Sequence, residues 1–231
     1  MLLQDRVVAV TGGFGSVGVA VVKAAESAGA KVIAIDRMPV DQAPHTLSNT
    51  VLLGDVDLGI SSAAEAAFKL IWERCGQLDA LVNVAGTFRW ELVETGAAET
   101  WDFLYGANLR TAFNASKEAL PYLQKRGRGR IINIGAAAAA KAAAGMGAYA
   151  ASKAGVAKLT EALAEELKGR NITVNAVLPS IVDTPQNRAD MPNADFSRWV
   201  SPQALADVIV FLLSDQAEPI TGALIPVTGR V

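Results

Sequence analysis

The sequence predicts an α/β fold, a doubly wound parallel sheet of seven strands with helices on both faces. Short β-branched runs alternate with helix-length segments along all 231 residues, which is the rhythm of repeated strand–helix–strand units. Most of these runs are almost continuously apolar, as in strands that are buried on both faces of a parallel sheet. We therefore expect one domain, residues 1–231, with a ligand crevice beyond the carboxyl ends of the strands.

The strand candidates are RVVAVT (6–11), KVIAID (31–36), TVLLGD (50–55), LDALVNV (78–84), RIINIG (130–135), ITVNAVL (172–178) and ALIPV (223–227). Helices fill the gaps between them. In 153–168, for example, the apolar residues Val156, Leu159, Leu163 and Leu167 recur at helical spacing, and charged residues take the opposite face.

The segment 183–202, DTPQNRADMPNADFSRWVSP, interrupts this rhythm. It is polar and broken by prolines, yet it carries Met191, Phe196 and Trp199. The pattern predicts a lid over the crevice, with Trp199 facing the substrate. An ordinary surface loop with a few packing aromatics is the alternative.

Composition excludes several classes of protein. Cys75 and His45 are the only residues of their types, so an intrachain disulfide, a zinc cluster and a Ser-His-Asp hydrolase are not expected. We expect no metal site, and His45 lies in a Pro-containing stretch typical of a loop. The net charge of −2 predicts no general attraction to nucleic acid, and the basic run KRGRGR (125–130) is interpreted as a turn.

The first ten residues, MLLQDRVVAV, lack the basic start of a signal peptide. No run of 18 apolar residues occurs in the chain, so no membrane span is predicted. We expect a cytoplasmic protein that acts on a small molecule and has no membrane or nucleic-acid partner.

The stretch VTGGFGSVG follows the first strand and opens a helix, and three of its glycines fit G-x-G-x-x-G. Such glycines allow a tight turn and let backbone N–H groups approach a pyrophosphate at the positive end of the helix dipole. This context favours a dinucleotide site over a purely structural turn. The residues expected to contact the cofactor here are Gly12, Gly13, Phe14, Gly15, Val17 and Gly18.

The second strand ends in an acid, Asp36, 18 residues beyond Gly18. A carboxylate at this place accepts hydrogen bonds from the adenosine ribose and repels a 2′-phosphate, so NAD is favoured. Arg37 could instead pair with that phosphate, which keeps NADP open.

Two further strand ends are expected to line the same crevice. Asp55 and Val56 end the third strand, where an acid could reach the adenine. The motif NVAG ends the fourth strand, and its residues Asn83, Ala85 and Gly86 are small enough to let a cofactor lie close.

The motif YAASK places Tyr149 and Lys153 four residues apart on one face of a helix. An ammonium beside a phenol stabilises phenolate, so the pair predicts a Tyr149 pKa below its reference of about 10. Tyr149 could then exchange a proton near neutral pH while a hydride moves.

The motifs TGGFGSVG, NVAG, YAASK and LPSIVDTP, with Asp36 and Asn108, resemble the short-chain dehydrogenase/reductase family over essentially the whole chain. The resemblance implies a Rossmann-like fold with Tyr149 as acid/base, Lys153 on the nicotinamide ribose, and Asn108 holding a water that relays protons. It implies further cofactor contacts after the sixth strand, at Pro179, Ile181 and Thr184. It also implies a homodimer or homotetramer packed through helices at about 99–125 and 149–168.

Two departures from the family pattern stand out. The family usually carries a Ser thirteen residues before the Tyr, where this chain has Ala136, and Ser16 stands where its glycine motif usually has Gly. Both departures, together with the segment 177–199, resemble the dihydropteridine reductase branch of the family. That branch uses NADH to reduce a quinonoid dihydropterin, and Ala136 is expected on the substrate side.

Three functions stay open. The first is an NADH-dependent reductase of a pterin-like or other conjugated cyclic substrate, with Tyr149 as proton donor. The second is a carbonyl reductase or alcohol dehydrogenase, acting on a 3-oxoacyl thioester or a cyclic ketone without the usual Ser. The third is an NAD-sensing binding module without turnover, against which the retained Tyr149, Lys153 and Asn108 argue.

Overall fold

Seven parallel strands form one sheet in the computed structural model, which describes residues 1–47 and 50–231. The strands are β1 (Val7–Thr11), β2 (Lys31–Ile35), β3 (Val51–Leu53), β4 (Ala80–Asn83), β5 (Gly129–Ile134), β6 (Ile172–Pro179) and β7 (Leu224–Val227). Their order is β3-β2-β1-β4-β5-β6-β7, so the predicted doubly wound fold is confirmed. Strand order reverses between β1 and β4, where a crevice opens at the carboxyl ends.

The helices connect these strands. They are α1 (Ser16–Ser27), α2 (Ser61–Cys75), α3 (Ala98–Leu104), α4 (Thr111–Arg126), α5 (Gly147–Leu167), α6 (Pro185–Asp190) and α7 (Pro202–Leu213). The described helices include none that is both long and apolar enough to cross a membrane. The basic run 125–130 forms the end of α4, a left-handed turn at Gly127 and the start of β5, as predicted.

Strand β1 shows why the strands are largely apolar. Val8 and Val10 pack with α1 and α7 on one face of the sheet, and Val7 and Ala9 pack with α2, α4 and α5 on the other. Because both faces are covered, side chains on either face of such a strand are buried, and apolar residues predominate along it.

The helix expected at about 99–125 is interrupted by a π-helical turn at Tyr105–Arg110, where the Thr111 N–H donates to the Gly106 carbonyl. The π turn joins α3 to α4, and π turns of this kind are frequent at functional sites. It places Asn108 in the interior.

The segment 183–202 contains α6 and a single 3₁₀ turn at Phe196–Arg198. The Thr184 hydroxyl caps α6 by accepting a 3.2 Å hydrogen bond from the Asn187 N–H. Val182 pairs with Val200 at the base of the segment, so its two ends are fixed to each other.

Candidate active site

The glycine loop between β1 and α1 is shaped by close backbone approaches. Gly12 has a φ of +62°, and a Cβ there would lie 2.8 Å from the Cα of Ala85. A Cβ on Gly18 would overlap the Gly12 carbonyl oxygen, and one on Gly13 would lie 2.7 Å from the Cβ of Ala34. Only glycine fits these positions, so the loop packs closely against its neighbours and leaves the N-terminus of α1 exposed to the crevice.

A cleft of about 720 Å³ lies where the strand order reverses. Its volume suits a cofactor-sized ligand, and a loop without side chains at a helix N-terminus suits a pyrophosphate. These residues therefore fit a dinucleotide. Of the predicted cofactor contacts, the ones that line the cleft are Gly12, Gly15, Val17, Gly18, Asp36, Arg37, Val56, Ala85, Gly86 and Thr184.

Asp36 is fixed at the end of β2 by two backbone hydrogen bonds. Its Oδ2 accepts from the Phe14 N–H at 3.0 Å, and its Oδ1 accepts from the Met38 N–H at 3.1 Å. The side chain therefore holds the glycine loop as well as lining the cleft, whereas the neighbouring Arg37 is exposed at the rim of the cleft.

Other predicted cofactor residues do not line the cleft: Gly13, Phe14, Asp55, Asn83, Pro179 and Ile181, with Tyr149 and Lys153 outside its wall as well. The Phe14 ring is buried in the core. Asp55 is exposed in the left-handed region at φ +58°, and Asp57 takes its place at the cleft, its Oδ1 accepting a 2.8 Å bond from Gly59 N–H.

Asn83 points into the protein between β4 and the helices. Its Nδ2 donates to Asn133 Oδ1 at 2.8 Å and to Ser116 Oγ at 3.0 Å, and Asn133 in turn donates to Thr160. Asn83 therefore links strands to helices, and its predicted place beside the cofactor was wrong for the side chain.

Sequence reasoning missed the outer wall of the cleft. Residues from the β3–α2 connection and from α3 and the π turn form it: Asp57, Leu58, Gly59, Ile60, Asp102, Phe103, Gly106, Ala107 and Arg110. Asn114 Nδ2 donates a 2.8 Å bond to the Leu58 carbonyl and holds these two parts together. They are far apart in sequence and carry no motif, so only tertiary contacts reveal them.

Lys153 lies beside the inner end of the cleft. Its buried Nζ donates a 2.7 Å hydrogen bond to the carbonyl of Ile134, which lines the cleft. Gly86 also lies near, since a Cβ added there would be 3.4 Å from the same Nζ. Burial lowers the Lys153 pKa from 10.5 to about 8.

Tyr149 lies one turn earlier on α5, on the same face as Lys153. Burial raises the Tyr149 pKa to about 12. This direction is opposite to the prediction, because burial of the phenol disfavours its charged form.

The Asn108 amide is held by protein groups. Its Oδ1 accepts from the Thr87 N–H at 2.7 Å, and its Nδ2 donates to the Thr87 carbonyl at 3.1 Å and to Ser152 Oγ at 2.9 Å. Ser152 donates onward to the Tyr149 carbonyl at 2.7 Å. Both N–H bonds of the amide are thus used, and the water relay through Asn108 stays a prediction.

The alanine-rich stretch after β5 forms the substrate side of the expected site. Ala136 is buried at the carboxyl end of β5, and a single 3₁₀ turn follows at Ala137–Ala139. Trp199 lies elsewhere, packed on Phe196 with ring centroids 4.8 Å apart and outside the wall of the cleft. Its role as a substrate contact therefore has no support in the geometry.

Two aromatic residues near Tyr149 were missed. The Phe88 ring meets the Tyr149 ring edge-on at 4.9 Å between centroids, and Trp90 lies against Gly145. The signal in the sequence was the run TFRWELV directly after NVAG, in which large apolar residues follow a cofactor motif.

Comparison with known proteins matches residues 6–195 to the family described as short chain dehydrogenase. A 3-oxoacyl-[acyl-carrier-protein] reductase of Thermotoga maritima is 31% identical over 242 residues, covering 99% of this chain and 98% of the relative. A 2-(S)-hydroxypropyl-CoM dehydrogenase of Xanthobacter autotrophicus is 34% identical over 249 residues, covering 98% and 96%.

Solved structures agree with the curated relatives. A short-chain dehydrogenase/reductase variant from Serratia marcescens superposes with a TM-score of 0.89 at 31% identity, covering 99% of this chain and 98% of that chain. None of the relatives named here is a dihydropteridine reductase, so that finer resemblance stays a prediction.

Proposed function

The chain belongs to the short chain dehydrogenase family and is an NAD(P)-dependent oxidoreductase, and from that premise we propose that it reduces a carbonyl group with Tyr149 as the proton donor. The observation that carries the proposal is the placement of Tyr149 and Lys153 on one face of α5, with the Lys153 Nζ against the cleft residues Ile134 and Gly86. The Lys153 cation thus borders the inner end of a dinucleotide-sized cleft, and the proton donor Tyr149 lies one helical turn before it.

In this mechanism the carbonyl carbon would receive a hydride from a reduced nicotinamide held in the cleft. Tyr149, whose pKa is raised to about 12, is neutral at physiological pH and carries the proton that the carbonyl oxygen needs. Lys153, with a pKa near 8, is mostly an ammonium at pH 7, and its charge stabilises the phenolate that forms. The glycine loop and Asp36 orient the cofactor from the opposite end of the cleft.

We favour NADH over NADPH. The Asp36 carboxylate lines the cleft at the end of β2, where negative charge repels a 2′-phosphate. Exposed Arg37 lies beside it and is the group through which NADPH could be accepted.

The names of the relatives support a carbonyl substrate, since one acts on a 3-oxoacyl group and the other is a hydroxypropyl dehydrogenase. A second candidate is a pterin-like conjugated ring. The observation in its favour is Ala136, which places a methyl group where a hydroxyl would polarise a carbonyl. An imine-like conjugated system needs less of that polarisation than a simple ketone.

The test is oxidation of NADH and NADPH, followed by the loss of reduced-nicotinamide absorbance, with an acetoacetyl thioester, a cyclic ketone and a quinonoid dihydropterin. Reduction of either carbonyl compound, abolished in Tyr149→Phe, supports the proposal. Reduction of the dihydropterin alone supports the second candidate. Cofactor binding without turnover of any of the three would favour a binding module and contradict both.

We also propose a homo-oligomer packed through α4 and α5. A depression of about 160 Å³ lies between these helices, lined by Phe113, Leu120, Leu159 and Leu163 among others. Phe113 is nearly half exposed there, and such a face is stabilised by covering it. Light scattering should show Phe113→Asp at a lower mass than the wild-type protein.

A further inference from the structure

Large aromatic side chains are exposed beside Tyr149. Phe88 and Trp90 lie in the connection between β4 and α3, Trp101 lies in α3, and they are 48%, 57% and 43% exposed. We call these three residues the aromatic rim. Monomeric proteins rarely expose clustered side chains of this size unless they bind something.

Phe88 contacts the catalytic phenol directly. The two rings are perpendicular, at 84°, with centroids 4.9 Å apart. Such edge-to-face pairs are favourable and fix the orientation of both rings. The part of Phe88 that stays exposed is therefore a flat apolar surface held next to the proton donor.

Trp90 is fixed to the alanine-rich stretch although its ring is exposed. Its indole N–H donates a 3.0 Å bond to the Ala144 carbonyl, and the next residue, Glu91, donates its N–H to the Gly145 carbonyl at 2.9 Å. Gly145, at φ +74°, has no room for a Cβ because the indole occupies that place. Trp101 similarly packs against Gly147, 3.5 Å from the position of a Cβ.

The alanine-rich stretch that the rim contacts offers little hydrogen bonding from side chains. Between Ala136 and Ala144 every side chain is a methyl group except that of Lys141, which is exposed. Recognition of the substrate beside Tyr149 must then rely on apolar contact and stacking, with Tyr149 as the polar group that orients the carbonyl oxygen. The rings are positioned before binding, which lowers the entropic cost of holding a flat ligand.

We propose that the aromatic rim selects carbonyl compounds in which the carbonyl belongs to or adjoins a planar unsaturated ring. This inference rests on the proposed function. The carbonyl carbon gains the hydride from the nicotinamide, the C=O π electrons pass to oxygen, and Tyr149 supplies the proton, so an alcohol and oxidised cofactor result. An open-chain 3-oxoacyl compound has no ring to stack on Phe88 and Trp90.

The experiment compares kcat/KM for the bicyclic aryl ketone 1-tetralone with that for open-chain ethyl acetoacetate. The wild-type protein should prefer 1-tetralone by about tenfold or more. Trp90→Ala should raise KM for 1-tetralone by about threefold to tenfold, the size of one aromatic contact, and leave ethyl acetoacetate unchanged. Phe88→Ala also frees the Tyr149 ring, so it should lower the turnover of both ketones and add a KM increase for 1-tetralone alone. Phe211→Ala is the control, since Phe211 is 39% exposed on α7, across the sheet.

Equal changes for both ketones in Trp90→Ala, or a wild-type preference for ethyl acetoacetate, would overturn the inference. If neither ketone is reduced, the proposed function fails, but calorimetric titration of 1-tetralone with NAD⁺ present still tests the rim. Weaker binding of 1-tetralone to Trp90→Ala than to the wild-type protein then supports the role of the rim. Absent binding, or binding that the substitution does not affect, overturns it. A lower oligomeric mass in the rim variants with unchanged kinetics would assign the rim to an interface between copies and also overturn it.

Discussion

The buried Lys153 ammonium donates its 2.7 Å hydrogen bond to the main-chain carbonyl of Ile134. A carbonyl dipole compensates a buried charge less well than a carboxylate does, so burial lowers the Lys153 pKa to about 8. Burial also raises the pKa of Tyr149 to about 12. The fold thus favours the neutral form of each group, and the neutral form of Tyr149 is the one that donates a proton.

Lys153→Met should remove a charge that the folded state tolerates poorly. The folded pKa near 8 lies below the ordinary value of 10.5, so the unfolded chain binds more protons between these pH values. Stability of the wild-type protein therefore rises with pH in this window, by about 2 kcal/mol relative to the variant between pH 8 and 10. Urea denaturation at several pH values measures this difference.

Lys158→Met is the matched control for that experiment, because Lys158 is exposed on the same helix and pairs with Glu161. The difference in the free energy of unfolding between Lys158→Met and the wild-type protein should stay constant over the same pH range. If this difference is also independent of pH for Lys153→Met, the assignment of Lys153 as a destabilised cation is contradicted.

Tyr149→Phe removes the proton donor and keeps the ring that contacts Phe88. We expect kcat for carbonyl reduction to fall by about 10²–10⁴, the usual contribution of a general acid. Cofactor affinity, measured by NADH fluorescence, should change little. Retention of more than a tenth of the wild-type kcat would show that another group delivers the proton.

Ala136→Ser places a hydroxyl at the carboxyl end of β5, near the carbonyl oxygen in the proposed mechanism. A donor at a developing oxyanion commonly contributes about 10²–10³ in rate, so ketone reduction should increase, up to that limit. Ala137→Ser, one residue further on, is the control and should have no such effect. If Ala136→Ser also leaves ketone turnover unchanged, a substrate that needs no second donor, such as a conjugated imine, is favoured instead.

Asp36→Ala should shift cofactor preference toward NADPH, because the negative charge at the ribose end of the cleft disappears. The variant also loses the acceptors for the Phe14 and Met38 N–H groups, so its melting temperature should fall by several degrees. Arg37→Ala is the contrasting change and should weaken NADPH binding without affecting NADH. The ratio of the dissociation constants for NADPH and NADH measures both effects. An unchanged ratio in Asp36→Ala would contradict the preference for NADH.

Local patterns predicted the sheet well, and they predicted where the glycine loop and Asp36 lie. Each predicted strand overlaps an observed one. Continuous apolar runs are typical of strands that are covered on both faces of a parallel sheet, so they identify these strands directly. The glycines and Asp36 lie where expected because strand–loop–helix geometry is set by neighbouring residues. Strand β3 is shorter than predicted, since Asp55 turns into the left-handed region immediately after Gly54.

The substrate side was predicted less well, since it depends on contacts between distant segments. The direction of the Tyr149 pKa follows from burial, and burial is a property of the assembled fold. Trp199 turns toward Phe196 in a way that no periodicity in 183–202 encodes. The approach of Trp90 to Gly145 brings together residues that are far apart in the chain, and no local pattern connects them.

The hydrogen bonds of Asn108 divide the connection after β4 into an anchored root and a replaceable tip. Thr87 is tied through Asn108 to Ser152, which in turn holds the Tyr149 carbonyl. The residues that follow, 88–96, carry the aromatic side chains but contribute none of these bonds. A graft that keeps Phe88 on the Tyr149 ring but exchanges the rest of the tip would therefore alter the range of accepted substrates, while the root still holds the main chain at Tyr149.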